Sequence, residues 1–462
     1  MRTRAADGLV VAVKSLLGAV GVERRGPVVR DSRRDQPGMG GVCVSESRSQ
    51  ERPKPFDISK IEVWTAWEQV RANRGAAGVD GVELDEFENR LQDNLYRVWN
   101  RMASGSYFPT PARSVEIPKP GGGVRTLGVP TIADRVAQTV AAKRLEIVCE
   151  PLFCDDSFGF RPGRSAHDAV ARCRDRCWQR RWVVDVDIAS FFDEVDWDLL
   201  IRAVKALDVP SWVVLYVRRW LAADAVGPDG TVRSRSRGTP QGGPVSPVLA
   251  NLFLHWAIDA WLEREHPTVS WERYADDIVL HCVSKGQADL VLDALARRMD
   301  EVGLRLHPEK TRIVYCGTDP ASAWDGARKF TFLGFDFRRR SAVRKDGKRT
   351  TTFAPAVSKA ARKRMSQIMR SWRITRRTDL SFADLADWVN PVVRGWMNYY
   401  GAFRRSELYP LLMQLNAMLA KWVRRKYRRF QRWDRLVRRW QQVVVERPDY
   451  FVHWRWVTGI GH

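Results

Sequence analysis

The sequence predicts an α+β body followed by an α-helical, strongly basic C-terminal module. Three observations carry this. Up to about residue 345, β-branched apolar runs with glycine turns alternate with stretches of helical apolar spacing. From Ser358 onward the spacing is almost wholly helical, with Pro391 and Pro410 as expected breaks. Residues 1–52 contain no Trp, Tyr or Phe and are rich in Arg, Gly and Ser, so a disordered basic extension is expected there. The 462 residues suffice for two or three domains.

Ordered sequence is expected from near Phe56. "ISKIEVWTAWEQVRAN" reads as a helix, "RGAAGVDGV" as a glycine turn, and Leu84 to Met102 as a second helix. Two extended segments flank "KPGGGVRTLGV", a glycine hairpin with basic residues on each side. Apolar spacing from Ile132 to Val148 is helical. "WVVDVDIASFFDEVD" begins as a buried strand and passes into a helix. "FLHWAIDAWLERE" is helical, and "FTFLGFDF" is a strand pair around a glycine.

The net charge is +23, which points to a polyanionic partner, nucleic acid first. No apolar run reaches membrane-spanning length, and Lys14 interrupts the apolar stretch near the N-terminus. The seven cysteines are irregularly spaced, which suits reduced thiols in a cytosol. Cys173 and Cys177 lie four apart with His167 near. Zinc there is the sharper reading, but no second cysteine pair follows, and helix packing is the favoured one.

"WERYADDIVLHC" places Asp276 and Asp277 in a turn between two apolar runs. The run after the pair reads as a strand buried on both faces. Acids there cost several kcal/mol unless a cation meets them. Asp187 ends the strand "WVVDVDI", too far away for local pairing. A sheet that joined the two strands would gather Asp187, Asp276 and Asp277 at one edge. Like charges with oxygen donors suit Mg²⁺, and two ions about 3.5–4 Å apart would activate a hydroxyl and stabilise a leaving phosphate oxygen. Asp185, Asp193 and Asp196 read as solvated strand-end or helix acids.

Asp187 with its following aromatic pair, "GTPQGGPVSPVLANL" from Gly238 to Leu252, and "YADD", in that order, resemble the palm of a reverse transcriptase. The detail resembles the bacterial group II intron-encoded reverse transcriptase/maturase proteins. "GAAGVDGV" and "IPKPGGGVRTLGVPTIADRVAQ" look like the finger motifs of that family, and "FGFRPGRSAHDAV" like its next block. "GLRLHPEKTRIV" and "FTFLGFDF" look like the last palm blocks, and "VRGWMNYYG" and "FVHW" like the thumb or maturase segment. The resemblance implies a right-hand polymerase: fingers and palm over 53–345, then a helical thumb/maturase domain over 346–462. Some members add a nuclease domain; no such pattern follows here, so no endonuclease activity is expected.

By this resemblance, Asp187, Asp276 and Asp277 are catalytic ligands of two Mg²⁺ ions. Phe192 matches the sugar gate, its ring excluding a 2′-hydroxyl. Lys119 and Arg125 would hold the triphosphate, and Gln241 and Gly242 would line the nucleotide pocket. Lys310 would contact phosphate or the metal-site carboxylates, and Arg161 and Arg164 would hold template backbone. Lys421 to Arg439 contains ten basic residues, among them Arg424, Arg425, Arg428, Arg429 and Arg432, which would meet RNA phosphates. Phe430, Trp433, Val437 and Trp440 fall at helical spacing and read as a core stripe.

The implied partners are group II intron RNA, an RNA template with DNA primer, deoxynucleoside triphosphates and target DNA, with a homodimer left open and no membrane. The implied place is the bacterial cytoplasm, at the nucleoid when acting on DNA. Two other readings stay open: a reverse transcriptase recruited to another system such as defence, and an RNA-binding splicing factor without polymerase activity.

Overall fold

The computed structural model describes residues 54–118, 124–319, 324–343 and 346–460, so the N-terminal extension lies outside the described residues. The strands are β1 (Ala112–Pro118), β2 (Val124–Val129), β3 (Trp182–Val186), β4 (Ala225–Val226), β5 (Val232–Arg233), β6 (Ser270–Tyr274), β7 (Asp277–Cys282), β8 (Arg312–Tyr315), β9 (Lys329–Phe332), β10 (Phe335–Val343) and β11 (Arg349–Val357). They alternate with helices, so the α+β expectation holds. The chain forms two compact units. One comprises the residues up to Phe153, Ser190–Ala257 and Glu301–Leu304; the other comprises Cys154–Ala189, Ile258–Asp300 and Arg305 onward.

The first unit is built on helix Ile132–Cys149. Val136, Ala137, Val140, Ala141 and Leu145 are buried there, and the small alanines let neighbouring helices approach closely. Helix Lys60–Ala72 starts at a capping box between Ser59 and Glu62, which satisfies two otherwise unpaired backbone donors. Trp212, Tyr216 and Trp220, at spacings of four, bury one face of helix Ser211–Leu221. A sheet of order β2-β1-β4-β5 completes the unit.

The second unit holds a four-stranded antiparallel sheet of order β6-β7-β3-β8. Val183, Val279 and Val314 point from one face into a core with helix Ala166–Gln179. A second sheet, β11-β10-β9, adds Phe330, Phe335, Phe337 and Phe353 to the same core. β10 and β11 pair from Phe335↔Val357 to Val343↔Arg349. A domain border at 345/346 would therefore cut a continuous hairpin; the helical module begins after it, with helix Lys359–Ser371.

Two sequence expectations for that module fail. Helix Phe382–Arg404 runs straight through Pro391. Leu385, Val389, Val393 and Met397 bury one continuous face, and that packing outweighs the roughly 3 kcal/mol cost of a helical proline. The stripe Phe430–Trp433–Val437–Trp440 is not one helical face. Helix Tyr409–Lys426 ends, a short 3₁₀ turn spans Arg428–Phe430, and a new helix runs Trp433–Glu446. Its buried residues are Leu436 and Trp440, while Phe430, Trp433 and Val437 keep exposed surface. The run of like charges through Arg428, Arg429 and Arg432 favours this break, because like charges one turn apart on a continuous helix repel.

Trp422 is fully buried among Leu385, Leu419 and Phe451, and its Nε1 donates to the Arg377 carbonyl at 2.7 Å. Trp422→Ala should lower the urea-unfolding free energy of this module by about 3–5 kcal/mol. A loss below about 1 kcal/mol would show that Trp422 is not a core anchor.

Candidate active site

Tyr274 pairs with Asp277 across the β6–β7 hairpin, which leaves Ala275 and Asp276 as a two-residue turn. β3 pairs with β7 in the register Val186↔Ile278. One step further along, Asp187 comes beside Asp277. The predicted carboxylate edge therefore exists, and β-sheet register sets Asp187 beside Asp277. Asp187 is wrapped by the "HPEKT" loop: its carbonyl accepts from His307 N at 2.8 Å and from Thr311 Oγ1 at 3.2 Å. Lys310 Nζ lies 3.4 Å and 3.5 Å from the two Asp187 carboxylate oxygens.

The electrostatics show an edge with too few cations. Asp277 is pushed up to about 7, first by loss of hydration and then by the charges of Asp276, Asp187 and Asp185. Its side chain still reaches solvent, so it is crowded by protein without being sealed off. Asp185 is pushed up to about 6 by burial, against the opposing pull of Arg312. It is not the solvated acid the sequence suggests, because its carboxylate is turned inward and paired with Arg312 at 3.2 Å. Asp196 caps helix Trp197–Lys205 by accepting from Leu199 N at 2.9 Å.

The turn is held by Arg273, which sequence reading missed. Arg273 is fully buried and makes a two-pronged pair with Asp259, also fully buried. It donates further to Ser157 Oγ at 2.8 Å and to the Ala275 carbonyl at 3.1 Å. Ala275 sits at φ 55°, in the left-handed region. Gly159 packs against it; a Cβ there would lie 2.3 Å from Ala275 N. An arginine within the strand "SWERY", just before the turn acids, was the available signal, since a buried guanidinium requires an acid.

The remaining predicted residues divide. Arg125 Nε donates to Gln241 Oε1 at 2.5 Å, so these two are brought together. Gly128 N donates to the Gln241 carbonyl, and Gly242 takes φ 115° with no room for a Cβ beside the Gly128 carbonyl. Phe192 is half-buried, and its carbonyl accepts from Thr239 N at 2.7 Å. Gly238 packs on that same carbonyl, which ties the "GTPQGG" loop to Phe192. Lys119 lies outside the described residues.

Arg161 is a correction. It is buried and donates to the carbonyls of Cys154 and Ser157, so it braces its own loop instead of offering its guanidinium to a template. Arg164 is paired with Asp155 at 2.7 Å. In the C-terminal run, Lys426 turns inward to the Leu380 carbonyl and Arg424 is half-buried. Arg425, Arg428, Arg429 and Arg432 are exposed. His167, read as a neighbour of the cysteine pair, instead bonds the Tyr399 carbonyl at 2.8 Å.

Residues 117–337 match the reverse transcriptase (RNA-dependent DNA polymerase) family, and residues 362–440 match the maturase-specific domain of group II introns. Protein YkfC of Escherichia coli is 31% identical over 301 residues, covering 57% of this chain and 76% of that protein. The group II intron-encoded protein LtrA of Lactococcus lactis is 32% identical over 195 residues, covering 42% of this chain and 32% of LtrA. A putative COX1/OXI3 intron 1 protein of Saccharomyces cerevisiae is 24% identical over 313 residues, covering 56% of this chain and 37% of that protein. Among the described residues no helix is long and apolar enough to cross a membrane.

A carboxyl raised on folding contributes stability below its unfolded value and loses it as pH climbs to the folded value. For Asp277 that window runs from 3.8 to about 7. Asp277→Asn, which mimics the protonated acid, should therefore raise the melting temperature of chelator-treated protein at pH 8 and change it little near pH 4. Equal melting temperatures at pH 8 would show that the acids do not repel one another at this edge.

Proposed function

We propose that this chain, a member of the family of group II intron-encoded reverse transcriptases and maturases, is an RNA-directed DNA polymerase that binds intron RNA and assists its splicing, and that it polymerises at the edge formed by Asp187, Asp276 and Asp277. The observation that carries this is the register that sets Asp187 beside Asp277, with the turn residue Asp276 adjoining.

The donor set fits divalent cations. It consists of hard carboxylate oxygens, crowded enough to raise Asp277 to about 7, with Lys310 as a nearby monovalent counter-charge. Two Mg²⁺ ions bound by these acids would supply charge for the attacking hydroxyl and the leaving phosphate oxygen. Asp187 and Asp276 serve as the main ligands, and Asp277 assists. Lys310 neutralises Asp187 and stands ready to meet phosphate. Arg273 fixes the turn so that the acids need not reorganise during the reaction.

Arg125 and Gln241 form one wall of a deoxynucleotide pocket, and Gly242 lets backbone approach the ligand closely. Phe192 excludes a 2′-hydroxyl. Arg425, Arg428, Arg429 and Arg432 meet the phosphates of structured intron RNA, held by shape more than by sequence. The template is RNA with a DNA primer, and target DNA receives the product.

Asp276→Asn should reduce primer extension on an RNA template by about 10²–10³-fold or more, with intron RNA binding unchanged. Retained extension, or equal loss of both activities, would overturn the assignment. Replacing Arg428, Arg429 and Arg432 together by Gln should lower the slope of log K against log salt for intron RNA by about 2–3. An unchanged slope would place the RNA elsewhere on the surface.

A further inference from the structure

Helix Ala166–Gln179 carries Cys173 and Cys177 one turn apart, both buried. Two more donors come from the sheet it packs against: His281 in β7, and Cys316 directly after β8. The Cys173 and Cys177 sulfurs and a ring nitrogen of His281 lie within 4.8 Å of one another. The Cys177 sulfur also meets the Cys316 thiol. Sequence reading looked for a second cysteine pair and found none, because these partners are neighbours only through the β7–β3–β8 ladder.

We propose that Cys173, Cys177, Cys316 and His281 form a structural zinc site. Three sulfurs and one imidazole nitrogen are a common tetrahedral zinc set. Zinc at about 2.3 Å from sulfur and about 2.0 Å from nitrogen needs ligand atoms about 3.5–3.8 Å apart; Cys173, Cys177 and His281 already stand within 4.8 Å of one another, and Cys316 closes the set by turning from its contact with Cys177. The imidazole is already aimed. Its Nε2 is 2.6 Å from Glu272 Oε1, which leaves the buried Nδ1 for the cysteine cluster, where the ring meets the Cys177 thiol. A carboxylate behind a histidine is the usual device for orienting a zinc-binding ring. Glu272 is fully buried and is itself held by Arg176 at 3.0 Å, which offsets the charge of the site.

All four donors are buried, and the three cysteines share an apolar core with Phe158, Val183, Val279 and Val314, away from water. The site is therefore structural: the metal clamps helix Ala166–Gln179 to β7 and to the end of β8 and binds as the unit folds. The feature that favours metal is the convergence itself: two cysteine sulfurs and an imidazole nitrogen gathered within 4.8 Å of one another, with a third thiol against Cys177.

The test uses the full chain after removal of any affinity tag, purified under reducing conditions from zinc-supplemented cells. Mass-spectrometric metal analysis should find one zinc per chain. Replacement by cobalt should give tetrahedral ligand-field bands and thiolate charge-transfer absorption. Cys316→Ser should remove one thiolate from that spectrum, and Glu272→Gln, which leaves all four ligands in place, should weaken zinc binding about 10–100-fold. Folded wild-type protein that carries no zinc, or carries iron instead, and shows no cobalt spectrum would overturn the proposal without reference to any variant. No part of this readout depends on DNA synthesis.

Discussion

The turn that carries the carboxylate edge depends on one buried ion pair. Arg273 and Asp259 are both fully buried, and the guanidinium also reaches Ser157 and the Ala275 carbonyl. A pair so deep gives little net stability over an apolar replacement of similar shape. Its value lies in position. It ties helix, loop and hairpin turn to a single point, and it holds Ala275 in a backbone conformation that an alanine does not favour on its own. The backbone adds to this: Arg273 N donates to the Asp156 carbonyl, and Phe158 N to the Arg273 carbonyl. With Gly159 packed on the turn, the "FGFRPGR" and "YADD" segments become two halves of one construction.

That construction holds acids where they repel. Asp277 stands near neutral pH in its ionisation, and Asp185 lies below it behind Arg312. A sheet edge selected for stability alone would not gather these charges. The raised carboxyl is the electrostatic counterpart of a cation-binding site: the free energy that disfavours the metal-free dianion is the same free energy that favours a divalent ion when it arrives.

The part of this that was legible in the sequence was local or ordered along the chain. The β6–β7 hairpin announced itself through alternating apolar runs, and Asp187 through its place before the later blocks. What was not legible depended on which way a side chain turns. Arg161 looks the same in sequence whether it faces a template or its own loop carbonyls, and Asp185 looks like any strand-end acid until Arg312 is paired beside it. Pro391 reads as a stop because its cost is local, while the core that overrules it comes from Leu412, Leu415 and Phe451, which are distant in sequence. The C-terminal stripe failed for a related reason: helical spacing over Phe430 to Trp440 assumes one unbroken helix, and the dense positive charge falls where the chain breaks it.

The same face of the four-stranded sheet carries two kinds of donor. Alternation along β7 puts Asp277, Val279 and His281 on one side; β3 gives Asp187, Asp185 and Val183, and β8 gives Arg312 and Val314 before Cys316. Each strand thus passes from charge, through a valine, to the apolar core where the thiols lie. Four residues of strand separate Asp277 from His281, about 13 Å. Hard oxygen donors sit at the solvated end, where the proposed reaction would exchange ions and phosphate. Soft sulfur and nitrogen donors sit at the dry end, where exchange serves nothing. A clamp at that end would fix β7 and β8 against helix Ala166–Gln179, and the rigidity of a paired ladder carries that constraint to the turn. The acids could then repel one another without spreading the strands that hold them.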